Sequence, residues 1–300
     1  MNTEITAPIN YGGLDPGLSD SATAKILIWP VPFEKTVSYG HGAKDGPAAI
    51  IDASRYMETY DEEIGGEPSR VGIHTLPFED VDVEPDIMSQ ALYHKALKLL
   101  GTDKFICMLG GEHSISPPVV RAFREHYPRL SVLQIDAHAD LRDRYERSPF
   151  SHACAMRRIV ELCPVVQVGI RSLSAEEAGV IPQLPTSIFF AKDICGRIDW
   201  IDEAIDALTE DVYLTIDIDG LDPSLAPSTG TPEPGGLLWY EVLALMRALA
   251  AKRNVVGMDL VELCGNSTSN VSSFTAAKLI YKTFGYIFRQ QIIQPEAVPC

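Results

Sequence analysis

The sequence predicts an α/β protein built on a mostly parallel sheet of about eight strands wound with helices. Short runs rich in β-branched and aromatic residues recur along the chain, and stretches of helical period separate them, the pattern of a parallel sheet with helical crossovers. With 300 residues, 46% hydrophobic and 22% charged, the chain is long enough to bury one large core.

The expected strands are 26–29, 71–74, 105–109, 131–135, 165–169, 187–190, 212–216 and 255–260. Helices are expected at 47–60, 85–100, 117–126, 201–208, 239–251 and 275–290, several starting at or beside a proline, whose fixed φ suits a first turn. No repeat, low-complexity tract or Gly/Ser/Pro-rich linker divides the chain. Residues 21–300 therefore read as one catalytic domain, preceded by an extended arm over residues 1–20.

A net charge of −16 argues against a nucleic-acid partner, whose phosphates need a basic surface. The charge permits attraction of small cations and also serves solubility. No apolar run approaches the ~20 residues that span a bilayer, so no membrane partner is expected. Residues 1–20 lack a basic start and an apolar stretch, which reads as a cytoplasmic protein. Six cysteines, Cys107, Cys154, Cys163, Cys195, Cys264 and Cys300, form no Cys-x-x-Cys pair and are expected as reduced, buried thiols.

Ligands in such sheets bind outside the carboxyl ends of the strands, and the polar residues that need explaining fall there. Gly110-Gly111-Glu112-His113-Ser114 follows the third strand, Asp136-Ala137-His138-Ala139-Asp140 the fourth, Asp217-Ile218-Asp219-Gly220 the seventh and Glu262 the eighth. In an extended segment a period of two points Asp136, His138 and Asp140 to one side, and Asp217 and Asp219 repeat the spacing. Four aspartates brought together need a cation. With His138 and His113 they make six ligands, which suit two bridged divalent ions better than one tetrahedral ion. The lack of a thiolate favours manganese, with nickel, cobalt or zinc as alternatives.

Gly-Gly-Glu-His-Ser, Ile-Asp-Ala-His-Ala-Asp-Leu-Arg-Asp and Ile-Asp-Ile-Asp-Gly-Leu-Asp-Pro resemble the ureohydrolase signatures of arginases and agmatinases. The resemblance extends to Tyr39-Gly40-His41-Gly42, Ser228-Thr229-Gly230-Thr231-Pro232 and Met258-Asp259-Leu260-Val261-Glu262. It implies an arginase-like, three-layer α/β/α fold, two Mn2+ ions and hydrolysis of a guanidinium to urea and an amine. By the same resemblance His113, Asp136, His138, Asp140, Asp217 and Asp219 hold the ions, with Asp136 and Asp217 bridging. Asp140 counts among the catalytic residues as well. Glu262 matches the acid that holds the guanidinium, Thr231 a supporting hydroxyl, and His152 the active-site histidine that shuttles the proton to the leaving amine. His41, in a glycine-rich turn, receives no role.

The expected substrate is a small cationic guanidino compound, agmatine first, which would release putrescine for polyamine synthesis. N1-aminopropylagmatine, 4-guanidinobutyrate, arginine and guanidine are the alternatives. Leu141-Arg142-Asp143-Arg144-Tyr145-Glu146 departs from the polar segment that arginases share, although Arg142 or Arg144 could meet a substrate carboxylate. Glu233 is a candidate partner for a distal ammonium. A catalytically silent subunit is the remote alternative, but every ligand position is filled by a competent residue. The resemblance also implies a homo-oligomer, a trimer or hexamer.

Overall fold

The computed structural model describes residues 9–293. Each of the eight expected runs forms a strand: β1 (Ile26–Val31), β2 (Ile73–Thr75), β3 (Phe105–Gly110), β4 (Leu130–Ile135), β5 (Val165–Ile170), β6 (Thr186–Phe190), β7 (Asp211–Asp217) and β8 (Asn254–Val261). They form a single sheet in the order β2-β1-β3-β8-β7-β4-β5-β6, and every pairing is parallel.

The pleat divides each central strand between two cores. On β1, Ile26 and Ile28 enter one, whereas Leu27, Trp29 and Val31 enter the other. Helices Gly46–Ser54, Ile201–Asp206, Trp239–Lys252 and Val271–Ile287 cover the first face, and Pro85–Leu100, Ser116–His126 and Ala155–Ile159 the second. Each aliphatic side chain buried there contributes about 1.5–3 kcal/mol.

This layering opens the functional crevice. The chain leaves β3 and β4 toward the second helical layer, and β7 and β8 toward the first. These four strands are neighbours in the order β3-β8-β7-β4, so their carboxyl-end loops splay to opposite sides above the middle of the sheet.

Several boundaries differ from expectation. The first long helix ends at Ser54, not at 60, where the Ser54 hydroxyl donates back to the Ile51 carbonyl and accepts from Gly12 N. Strand β2 starts at Ile73 because Pro68–Val71 is a 3-10 turn closed by Gly72 at φ 80°. The last long helix starts at Val271 and gives way to Arg289–Ile293. Helices Ala155–Ile159 and Ala175–Val180 were not expected, although Ser174 and Glu177 form a capping box for the second.

Of the expected arm, residues 1–8 lie outside the described residues. Residues 9–20 carry two short turns, Tyr11–Gly13 and Pro16–Ser19, and the buried Tyr11 hydroxyl donates to the Ala277 carbonyl. Cys107, Cys154, Cys163 and Cys264 are buried free thiols, Cys195 is half-buried, and Cys300 lies outside the described residues. Among the described residues no helix is long and apolar enough to cross a membrane.

A buried ion pair fixes the loop after the shortened helix. Lys282 Nζ, on helix Val271–Ile287, lies 3.1 Å from Asp61 Oδ2 and 3.0 Å from Glu62 Oε1, while Asp61 Oδ1 accepts from Glu63 N and Ile64 N. Asp61 is inaccessible to solvent. Removing the cation strands its charge, so Lys282→Met is expected to lower the unfolding free energy in urea titrations by about 3–5 kcal/mol. Adding Asp61→Asn to that variant should restore part of the loss.

Candidate metal centre

Two glycines let the loops approach closely enough to build a site. A Cβ at Gly111 would sit 2.0 Å from the Phe33 carbonyl oxygen, so only glycine lets β3 turn into Glu112 and His113 here. A Cβ at Gly220 would lie 2.7 Å from Asp136 N, and its absence allows the two acidic loops to touch. Ala137 N then donates to Asp219 Oδ1 at 3.0 Å across the gap.

All six expected ligands converge, but through turns and not through extended alternation. Residues 136–140 are not a strand, and Asp140 takes φ 52°, a left-handed conformation that aspartate tolerates better than most residues. Ile218–Gly220 is a 3-10 turn in which Asp217 Oδ1 accepts from Asp219 N. As a result His113 Nδ1 lies 3.2 Å from Asp136 Oδ2, 3.3 Å from Asp140 Oδ2 and 3.5 Å from Asp217 Oδ2. His138 Nδ1 lies 3.0 Å from Asp219 Oδ2 and 3.7 Å from Asp136 Oδ1.

Two ligand groups follow, His113/Asp136/Asp140 and Asp136/His138/Asp219, and Asp136 belongs to both. His113 Nε2 stands 2.9 Å from Thr215 Oγ1, whose proton goes to Asp259 Oδ1 at 2.5 Å, while the Tyr213 hydroxyl donates to Asp259 Oδ2. Nε2 is therefore the donor nitrogen, and Nδ1 keeps its lone pair. That Nδ1 is buried without a hydrogen-bond partner and faces three carboxylates. Only a cation between them satisfies all four groups, so the residues fit a metal.

The electrostatics agree. Burial, reinforced by the neighbouring Asp136 carboxylate, holds Asp140 and Asp219 above the usual carboxylate range. Burial together with Asp219 and Asp136 raises Asp217 well above it. Burial would lower the histidines, yet the carboxylates beside them outweigh it, raising His113 well above its usual value and His138 to about 12. The cluster draws positive charge from whatever source can supply it. Its donors are nitrogen and oxygen alone, which suits manganese, nickel, cobalt or zinc.

A cleft of about 250 Å³ opens above the cluster, bordered by Tyr39, Arg142, Tyr145, His152, Thr231 and Glu262. Glu262 is nearly buried at φ 64°, a strained backbone worth about 1–3 kcal/mol. Its Oε1 accepts from His113 N at 2.6 Å, and burial with the nearby Glu112 charge keeps its carboxyl well above the usual range. Arg142 lies against Glu177 and over the Tyr145 ring. Arg144 is exposed, and His41 is an exposed partner of Glu34. Glu233 is half-buried, 4.0 Å from His138 Nε2.

The residues that sequence reasoning left without a role are Gln134, which donates to Asp136 Oδ2, together with Thr215 and Asp259 behind His113. A signal existed: each is a polar residue inside an otherwise apolar strand run.

The arginase family model matches residues 24–285. The chain belongs to the arginase family. This arginase-family chain is 41% identical over 278 residues to an N1-aminopropylagmatine ureohydrolase of Synechocystis sp., covering 90% of this chain and 91% of that relative. It is 36% identical to an agmatinase of Pyrococcus horikoshii, covering 89% and 93%. Its fold matches the crystal structure of agmatine ureohydrolase of Thermoplasma volcanium with a TM-score of 0.85 at 29% identity, covering 95% and 96%. The fold is thus arginase-like, with a single eight-stranded sheet between two helical layers, and the chain is an agmatinase-like ureohydrolase of this family.

Within this arginase-family site, Asp259 holds His113 through Thr215. Asp259→Asn is expected to weaken divalent-metal affinity about 10–100-fold, the range for partners that orient a ligating histidine. Competition against a chromogenic chelator measures it without turnover.

Proposed function

We propose that the chain releases urea from a cationic alkylguanidine that carries a distal amine, with N1-aminopropylagmatine as the preferred substrate and agmatine as the second reading. The guanidino chemistry rests on one observation. A His/Asp cluster able to hold two ions and the Glu262 carboxylate meet in one acidic cleft. The preference for the longer amine rests on relatives from Synechocystis sp. and Thermus thermophilus, 41% and 39% identical, which are named for N1-aminopropylagmatine. Agmatine is favoured by the 36% identical relative that bears its name.

In this reading His113, Asp136, His138, Asp140, Asp217 and Asp219 would hold two ions, manganese by preference. Bound there, the ions would supply a water nucleophile active at neutral pH. Glu262 accepts N–H bonds from the planar guanidinium and sets its carbon above the cluster, and Thr231 supports that pose from the rim. His152, in the wall of the cleft, gives the leaving amine its proton. Glu233, 4.0 Å from His138 Nε2, is the candidate partner for the distal ammonium. The same reading takes the protein as a cytoplasmic homo-oligomer, trimeric or hexameric.

The test is urea release by manganese-loaded protein from N1-aminopropylagmatine, agmatine, 4-guanidinobutyrate, arginine and guanidine. The highest kcat/KM is expected for N1-aminopropylagmatine, with agmatine next. A lead by 4-guanidinobutyrate or arginine would sink the distal-amine reading, and no urea from any compound by protein with two ions bound would sink the hydrolase reading. On the best substrate, His152→Asn is expected to lower kcat about 10²–10⁴-fold with metal content unchanged.

A further inference from the structure

Resting on the reading of His152 as the proton-transfer group, we infer that Thr36 is a positioning residue that fixes the tautomer of His152, and that Glu112 commits the Thr36 proton. Thr36 lies in the loop after β1, and no motif marked it in the sequence. Glu112 is inaccessible to solvent, yet among the described residues no lysine or arginine pairs with it; four donors surround its carboxylate instead. Lys35 N and Thr36 N donate to Oε2 at 2.8 and 2.7 Å, while Thr36 Oγ1 and Ser114 Oγ each donate to Oε1 at 2.6 Å.

The direction of each bond then follows from valence. A hydroxyl has a single proton, and Thr36 spends it on Glu112, so Thr36 Oγ1 can only accept from its other neighbours. Those neighbours are both on His152: the backbone N at 3.1 Å and ring Nδ1 at 3.2 Å. Ser151 Oγ also lies near Nδ1, at 3.4 Å; the shorter contact is the one to Thr36, and it requires a hydrogen on Nδ1. In the neutral ring Nε2 then holds the lone pair, facing Ser38 Oγ at 2.9 Å in the wall of the cleft. The Tyr145 ring, edge-on at 5.8 Å between centroids, packs against the imidazole.

A histidine that hands on a proton needs one nitrogen turned to the reaction and the other held by an acceptor. Thr36 supplies that acceptor and grips the backbone of His152 at the same time, so ring and main chain are fixed by one oxygen. Glu112 also adjoins His113. A single buried carboxylate thus sets the turn that carries a metal-ligand candidate and, through Thr36, a histidine that lines the cleft.

The test combines Thr36→Val, which keeps the shape and removes the hydroxyl, with Thr36→Ser, which restores it. On the panel compound that releases urea fastest, Thr36→Val should lower kcat about tenfold with KM within a factor of two, and Thr36→Ser should recover most of the rate. In a His152→Asn background Thr36→Val should add less than twofold, because its effect passes through the histidine. An undiminished effect in that background, or a silent Thr36→Val beside an impaired His152→Asn, overturns the inference and leaves the role of His152 standing. A fully active His152→Asn overturns the role of His152 itself. Nitrogen-15 NMR of histidine-labelled, zinc-loaded protein needs no turnover: His152, assigned by its loss in His152→Asn, should show the Nδ1–H tautomer in the unaltered chain and a mixture in Thr36→Val. An Nε2–H tautomer in the unaltered chain overturns the inference.

Discussion

The arrangement depends on the cost of packing four aspartates and a nearly buried glutamate against two histidines at the ends of four adjacent strands. Asp136, Asp217 and Asp219 are almost wholly buried, and Asp140 and Glu262 nearly so. Their mutual repulsion is relieved only by positive charge held among them. Everything near the centre serves that one requirement. The backbone N–H groups of Ala137, His138 and Asp219 turn toward carboxylate oxygens, and Gln134 donates to Asp136 from within β4. Asp259 is kept one residue farther away, where it orients His113 through Thr215 without adding a fourth carboxylate to that nitrogen.

Topology is what makes so expensive a cluster affordable to a folded chain. The strands that carry it are interior members of a parallel sheet with both faces covered, so the ends of β3, β8, β7 and β4 are held by a neighbouring strand on each side. Two of the five non-glycine residues in the left-handed region among the described residues fall at these ends, Asp140 just beyond β4 and Glu262 directly after β8. Strain of about 1–3 kcal/mol per residue persists only where surrounding structure over-determines the backbone. Gly111 and Gly220 do the complementary work, removing side chains where loops must touch.

Much of this was legible in the sequence because burial on both faces writes strands as apolar runs, and all eight are found where those runs lie. The acidic motifs picked out side chains that the structure brings together, but by an argument about extended backbone that neither motif keeps: Asp140 is left-handed and Ile218–Gly220 is a 3-10 turn, and a residue spacing of two reveals neither. What stayed hidden was non-local. The loop after the first long helix answers to Asp61 and Lys282, 221 residues apart, and the Thr36–Glu112 contact joins residues 76 apart. Hydrogen bonds of this kind leave no periodic trace. Their only signature is an unexplained polar residue, such as Asp259 in β8, and that identifies the residue without naming its partner.

The charges around the cleft narrow what can enter it. Arg142 is the basic side chain on the wall most able to greet an anion, but it is engaged: its Nε is 3.8 Å from Glu177 Oε2, and its guanidinium lies 5.4 Å from the Tyr145 ring centroid. Glu177 is itself buried and accepts from Leu141 N and Ser174 N, which fix its place. A substrate carboxylate would have to draw Arg142 away from both partners while approaching Asp140, Asp217, Asp219 and Glu262. A chain bearing a guanidinium at one end and an ammonium at the other meets no such opposition. The selectivity expected of this cleft thus begins with what it repels, and the length of the chain it prefers is left to the rim around Tyr39 and Thr231.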